Sequence, residues 1–338
     1  AHYNPVRERY EIHGVMGPDE FHEKYPGAAE GGLRNNAYTN VMVAWLCRIA
    51  HQLLSLLPAS RAESLRERLE IDSAEVTLWE DMSRRMYVPF HDEGIITQFE
   101  GYEALEEIDW DAYRASYGNI QRLDRILHAE GDDPNRYKLT KQADTVMLFF
   151  LFRDEELREI LERLGYTYRH DTVARNVSYY DRRTSHGSTL SFITHAAVLA
   201  GHDPQSSWER FLIALGSDVD DVQGGTTREG IHVGVMCGTL DVVQRAYTGA
   251  HVRDGVLRFD PRLPARLECV SFPMLFRQCP LRVTLRVDGL TVAVGAEGVS
   301  RPLRVAVGGD VRELRPGEQA VFELGRKAAT TGSPAHDR

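Results

Sequence analysis

The chain has 338 residues, 42% of them hydrophobic and 27% charged, a balance that excludes a largely disordered or fibrous protein and allows one large core or two domains. Its 40 basic against 50 acidic side chains leave a net charge of -10, which repels nucleic acid and anionic membrane surfaces and removes both from the expected partners. No apolar run reaches the roughly 18 to 20 residues that span a bilayer. Cys47, Cys237, Cys269 and Cys279 have neither zinc-site spacing nor the density of a disulfide framework, so a reducing cytoplasm is the expected setting.

Gly14, Gly17 and Pro18 interrupt regular structure, which puts Asp19 and Glu20 on a predicted loop ahead of a long helix. Over residues 37–57, Val41, Met42, Trp45, Leu46, Ile49, Leu53 and Leu57 recur at helical spacing and stop at Pro58. Residues 61–69 alternate charge with Leu as an outer helix does, and 73–86 follow as another helix capped at Asp72 or Ser73. Residues 142–152 predict a helix apolar on all faces and 154–164 a strongly amphipathic one, a buried inner helix beside a solvated outer one. The pairing recurs at 188–200 and 206–215, each closed by a glycine, and once more at 233–248 before Gly249. Short β-rich segments follow at 256–259, 267–276, 281–287, 290–294, 303–307 and 320–324, a small antiparallel sandwich over 251–326. Asp288-Gly289 reads as a primed hairpin turn, and the small, polar stretch 327–338 as a disordered tail.

Four stretches carry chemistry. Asp19 and Glu20 are either a solvated acidic turn or a held acid able to protonate a leaving group. Lys141 and Gln142 open the apolar helix, where their polar ends need partners or a cavity mouth. Ser185, His186, Ser188 and Thr189 lie in a Gly-containing turn before the next buried helix, so their hydroxyls and the backbone N–H groups either cap that helix or cradle an anion. His232, between Ile231 and Val233, reads by itself as a satisfied core histidine.

Gly14-Val15-Met16-Gly17-Pro18-Asp19-Glu20-Phe21-His22-Glu23 with Asn35 to Asn40, then Lys141-Gln142-Ala143-Asp144, Arg183 to Ser191, and Thr227-Arg228-Glu229-Gly230-Ile231-His232 resemble, in identity and order, the blocks of glycoside hydrolase family 65. The resemblance implies a mainly α fold, a partial (α/α)6 barrel over 1–250 that lacks its first helices, followed by the β-sandwich. It covers only the carboxy-terminal half of a typical member, and the opening at Ala1 adds to the expectation of a fragment or truncated product. The activity it implies is inverting phosphorolysis of an α-glucosidic disaccharide to β-glucose 1-phosphate and a sugar, with Glu20 as general acid. Inorganic phosphate is then the nucleophile and co-substrate, and no metal or organic cofactor is required.

By the same resemblance Lys141 and Gln142 hold the transferred glucosyl unit, and Ser188, Thr189 and His232 hold phosphate. Asp19 either raises the proton affinity of Glu20 by like-charge repulsion or points away to bind a sugar hydroxyl. The region of Trp79, Glu80, Tyr87, Phe99, Glu100 and Tyr102 is where the family shapes its acceptor subsite. Expected partners are the disaccharide and phosphate, together with a second copy of the chain or the missing amino-terminal half. Two other readings stand beside this one: an α-glucoside hydrolase, with Glu229 as a base, and an inactive carbohydrate-binding or assembly fragment.

Overall fold

The protein is represented by a computed structural model that describes residues 1–223, 226–297 and 302–325. The chain opens on two short antiparallel pairings, β1 (His2–Asn4) with β2 (Arg9–Glu11) and β3 (His13–Val15) with β4 (Leu33–Arg34). The loop between β3 and β4 carries Asp19 and Glu20. α1 (Ala37–Leu56) starts where the Asn36 side chain accepts the Thr39 N–H, and its run ends ahead of Pro58, as the periodicity predicts. α2 (Ala59–Arg68) and α3 (Ser73–Arg85) follow, the latter capped by Asp72 accepting from the Glu75 N–H. A small hairpin of β5 (Phe90–His91) and β6 (Ile95–Ile96) precedes α4 (Trp110–Tyr117) and α5 (Leu123–Glu130). Next come α6 (Thr145–Leu151), α7 (Asp154–Arg163), α8 (Thr172–Asp181), α9 (Leu190–Leu199) and α10 (Pro204–Gly216). α11 (Val233–Asp241) runs on into a π-helical turn, Val242–Tyr247.

The helices pack as a continuous row, α1 on α6, α6 on α9 and α9 on α11. α3 and α7 back α1, and α10 backs α9 and α11. α9 is buried on nearly every side, through Phe192, Ile193, Ala196 and Val198, whereas α7 buries only the stripe Leu157, Ile160 and Leu161. This is the inner and outer division that the two polarity patterns predict.

Three helices were not legible from periodicity. α4 and α5 have 8 residues each, too few turns to show a stripe. α8 puts a polar residue on its buried face: Asn176 accepts the Ile96 N–H at 2.8 Å and donates to Gly94 O at 3.2 Å, satisfying the backbone of the β5–β6 hairpin. Lys141 and Gln142 do not begin the apolar helix. α6 starts only at Thr145, because the backbone at 140–141 is bonded to neighbouring loops instead of turning into a helix.

After the helices come β7 (His251–Arg253), β8 (Val256–Phe259), β9 (Cys269–Phe276), β10 (Cys279–Arg286), β11 (Gly289–Val294), β12 (Leu303–Val307), β13 (Asp310–Leu314) and β14 (Gln319–Glu323). They form two four-stranded sheets, β14-β11-β10-β9 and β13-β12-β8-β7, sharing a core that includes Phe259, Phe272, Val283, Leu290, Val305 and Phe322. Every pairing in the two sheets is antiparallel except β8 with β12, which is parallel. The hairpin expected at Asp288-Gly289 joins β10 to β11, but neither residue takes a positive φ. The primed geometry appears at Asp254-Gly255 (φ 51° and 74°) and at Arg277-Gln278 (φ 50° and 65°), where the tight β7–β8 and β9–β10 registers require it. The tail expected over 327–338 lies outside the described residues.

Leu148 of α6 is fully buried in the cluster of Val41, Ala44, Met86 and Ile160 that joins α1 to α6 and α7. Replacing it by Ala is expected to cost about 2–5 kcal/mol, read as a lower urea midpoint with an unchanged slope.

Candidate active site

Asp19 and Glu20 are neighbours that face opposite ways. Glu20 sits in the left-handed region at φ 69°, and this reversal sends its carboxylate outward while Asp19 turns in to 2% exposure. Asp19 accepts the Lys141 N–H at 2.6 Å and the Gln98 amide at 3.1 Å, and its Oδ2 lies 2.9 Å from His22 Nδ1. His22 Nε2 in turn donates to Tyr137 O at 2.9 Å. A buried carboxylate is tolerable only when its lone pairs are filled in this way. Glu20 meets the Lys141 ammonium at 2.5 Å and the Gln142 amide at 3.2 Å, and its side chain stays 54% exposed. Gln142 also donates to Pro18 O, so one side chain holds both the loop and its carboxylate.

The like-charge effect of Asp19 falls on Asp144, the last residue of the second block. Asp144 stands at the N-cap of α6 yet caps nothing; its carboxyl turns to the Asn36 amide at 3.2 Å. Burial first, and the charge of Asp19 second, push this carboxyl well above the ordinary aspartate value. Gly17 is required here for its lack of a side chain: a Cβ would come within 2.2 Å of Asp144 Oδ2 and 2.3 Å of Asn36 Nδ2.

The loops 139–142 and 183–188 lie side by side, through Thr140 N to Arg183 O (2.7 Å), Ser185 N to Thr140 O (2.8 Å) and Gly187 N to Lys141 O (2.7 Å). Ser188 is thereby next to the residue that bonds Glu20. Thr189 is the N-cap of α9 but makes no side-chain capping bond, and among the described residues neither its hydroxyl nor that of Ser188 has a protein partner. Capping therefore does not account for them. His186 takes φ 55° and meets Ser191 Oγ at 2.9 Å; burial, then His195 and Arg210, hold its ring well below the ordinary histidine value.

His232 is not a core residue. It is the N-cap of α11, about one-third exposed, with its ring Nδ1 2.6 Å from Asp218 Oδ1 and its backbone N–H donating to Asp218 Oδ2 at 2.9 Å. A Cβ on Gly234 would lie 3.3 Å from Leu190, so α9 and α11 begin against one another. Both positive helix ends, with Ser188, Thr189 and His232, therefore share one region. A cavity of about 510 Å³ opens beside these loops, lined by Pro18, Gln142, Leu190, Ser191, Gly234 and Arg245, but Glu20, Lys141, Ser188, Thr189 and His232 are not part of its wall.

The expected acceptor residues divide differently. Phe99 and Tyr102 are buried around His22, at ring distances of 5.1 and 5.7 Å, as packing beneath the acid loop. Glu100 pairs with Arg7, and Glu80 with Arg84 and Arg163. Arg228 is exposed, and the side chain of Glu229 lies outside the described residues. The sequence reading did not single out Asp144, His22, Gln98 and Asp218. The first two stood inside the recognised blocks, whereas Gln98 and Asp218 had no local mark.

Residues 1–241 match the model of the glycosyl hydrolase family 65 central catalytic domain, and residues 250–314 match that of the family 65 C-terminal domain. The chain belongs to glycosyl hydrolase family 65. This family 65 chain is 49% identical over 318 residues to an uncharacterized glycosyl hydrolase of Mycobacterium tuberculosis, covering 94% of its own length and 24% of that protein. It is 36% identical over 317 residues to a trehalose 6-phosphate phosphorylase of Lactococcus lactis, 94% of the chain and 39% of that enzyme. The fold is similar to that of a human-microbiome protein named as a candidate kojibiose phosphorylase, with a TM-score of 0.73 at 21% identity over 96% of the chain and 41% of that structure. The chain thus spans about a quarter to two fifths of the proteins it matches. Among the described residues no helix is long and apolar enough to cross a membrane.

The raised pKa of Asp144 fixes the sign of a pH effect. The folded state holds this proton more tightly than the unfolded chain, so its contribution to stability is complete below the ordinary value of 3.8 and is lost as pH rises through the folded-state value. Asp144→Asn removes that titration. Its stability relative to the parent is expected to improve from about pH 4 upward, by at most about 1.4 kcal/mol per pH unit, in urea unfolding at a series of pH values.

Proposed function

We propose that this family 65 chain carries the acid-catalyst and phosphate-holding part of an inverting phosphorylase for an α-glucosidic disaccharide. The observation that carries the reading is the bonded run from Glu20 through Lys141 to the 183–188 loop, which sets an outward carboxyl beside hydroxyls at a helix N-terminus that have no protein partner among the described residues. Phosphorylase relatives support phosphate, not water, as the nucleophile. The helix row is read as part of an (α/α)6 barrel whose remaining members lie outside this chain, and the setting as cytoplasmic.

In this mechanism Ser188, Thr189 and His232 hold inorganic phosphate at the starts of α9 and α11, where hydroxyls, imidazole and helix ends oppose its charge. Asp218 orients the His232 ring. A phosphate oxygen attacks the anomeric carbon from the face opposite the departing sugar, and the anomeric C–O bond to that sugar breaks as Glu20 protonates its oxygen. The electron pair of the broken bond stays with the leaving oxygen, and the configuration inverts to β-glucose 1-phosphate. Lys141 and Gln142 contact the glucosyl unit as well as Glu20, while Asp19, bonded inward, positions the loop rather than a sugar hydroxyl. No metal or organic cofactor enters the scheme. The chain works joined to the remainder of its barrel or as a homodimer.

In the protein at its full encoded length, Glu20→Gln is expected to lower kcat on the disaccharide by at least about 10²-fold with little change in sugar binding. Turnover like the parent's would remove Glu20 from the acid role. Ser188→Ala and His232→Ala are each expected to raise the apparent KM for phosphate at saturating sugar, equivalent to about 1–3 kcal/mol. Sugar release that proceeds at full rate without phosphate would favour the hydrolase instead.

A further inference from the structure

We propose that His2, Glu11 and His13 form a binding site for a borderline divalent transition metal, zinc foremost, that clips the first hairpin to the strand leading into the acid loop. The three residues converge by strand geometry. His2 and Glu11 are direct cross-strand partners in the β1–β2 register, and His13, two residues beyond Glu11, points from the same side of the chain. Glu11 Oε2 lies 3.0 Å from His13 Nε2 and 3.7 Å from His2 Nε2, and one ligand atom from each residue falls within 4.8 Å of the others. Tetrahedral zinc with bonds of about 2.1 Å sets its ligand atoms roughly 3.4 Å apart, between the two observed separations.

The surroundings prepare the carboxylate. Glu11 Oε1 is taken by Asn4 Nδ2 at 2.8 Å and Arg7 Nη1 at 2.9 Å, which leaves Oε2 turned to the two imidazoles. Arg7 is itself paired to Glu100 at 2.6 Å, so its charge is shared between two carboxylates. Two neutral imidazoles and one carboxylate favour zinc over calcium or magnesium, which take oxygen ligands. A fourth position would face water, since His2 and His13 are 52% and 40% exposed in their side chains.

The test uses the protein at its full encoded length with the exposed thiols Cys237 and Cys269 changed to Ser, stripped with chelator and titrated with zinc chloride against a chromophoric competitor. The expected result is one zinc per chain, no competition from magnesium or calcium, and a rise in Tm with zinc. His2→Ala and His13→Ala remove exposed side chains, and each is expected to weaken zinc binding tenfold or more. A smaller loss in either variant, or no stoichiometric binding by the parent, overturns the site.

Discussion

One buried carboxylate, that of Asp19, organises the loop that carries Glu20. It draws polar partners from three stretches of chain: His22 on its own loop, Gln98 after the β5–β6 hairpin and the Lys141 backbone ahead of α6. His22 extends the tie to Tyr137. Removing a charge from water at 2% exposure is offset only when all these partners arrive together, so the loop has this shape in the folded state alone. The outward aim of Glu20 follows. With Asp19 anchored inward, the adjacent residue takes a left-handed backbone and delivers its side chain to Lys141 and Gln142. Asp144, pressed under the same loop by Asn36 and Gly17, carries the electrostatic cost of that arrangement.

The second constraint is how closely α9 and α11 approach. Gly234 and Gly238, one turn apart on α11, face Leu190 and Ile193 of α9; a Cβ on Gly238 would fall 2.8 Å from Ile193. Any larger residue there would push the helices apart. Because their N-terminal ends are held together, the Ser188-Thr189 turn and His232 stand at two neighbouring helix starts although 43 or more residues separate them in the chain. Asp218 adds a rigid hold on His232, bonding both its ring and its backbone. Backbone bonds at 140–141 and 183–187 bring the loop ahead of α9 beside the residue that bonds Glu20, and they do not depend on long, flexible side chains.

The alternation of wholly apolar and striped segments over α6, α7, α9 and α10 was sufficient to read an inner and an outer layer, since burial on one face or on all faces shows directly in polarity. It failed for α8, where Asn176 spends its amide on another segment's backbone and so breaks the stripe. The hairpin reading at Asp288-Gly289 found the right connection by an incorrect route. The positive φ values went instead to Asp254-Gly255 and to Arg277-Gln278, the latter without a glycine, because a two-residue connection in a twisted antiparallel pair imposes that backbone whichever side chains occupy it.

Local order in the sequence determined the longer periodic helices, most strands of the carboxy-terminal sheets and the ordered family 65 blocks, and through that resemblance the candidate roles of Glu20, Lys141, Gln142, Ser188, Thr189 and His232. Only the tertiary structure decided which of two adjacent carboxyls is buried, that Lys141 and Gln142 precede α6, and that Phe99 and Tyr102 pack beneath the acid loop. The reason is distance along the chain. Glu20 meets Lys141 across 121 residues and Asp19 meets Gln98 across 79, and no periodicity or turn preference reports a partner so remote. Hydrophobic pattern tells a segment which face to bury; which polar groups then meet, and which way a loop carboxylate turns, is settled by the requirement that every buried donor and acceptor be satisfied at once.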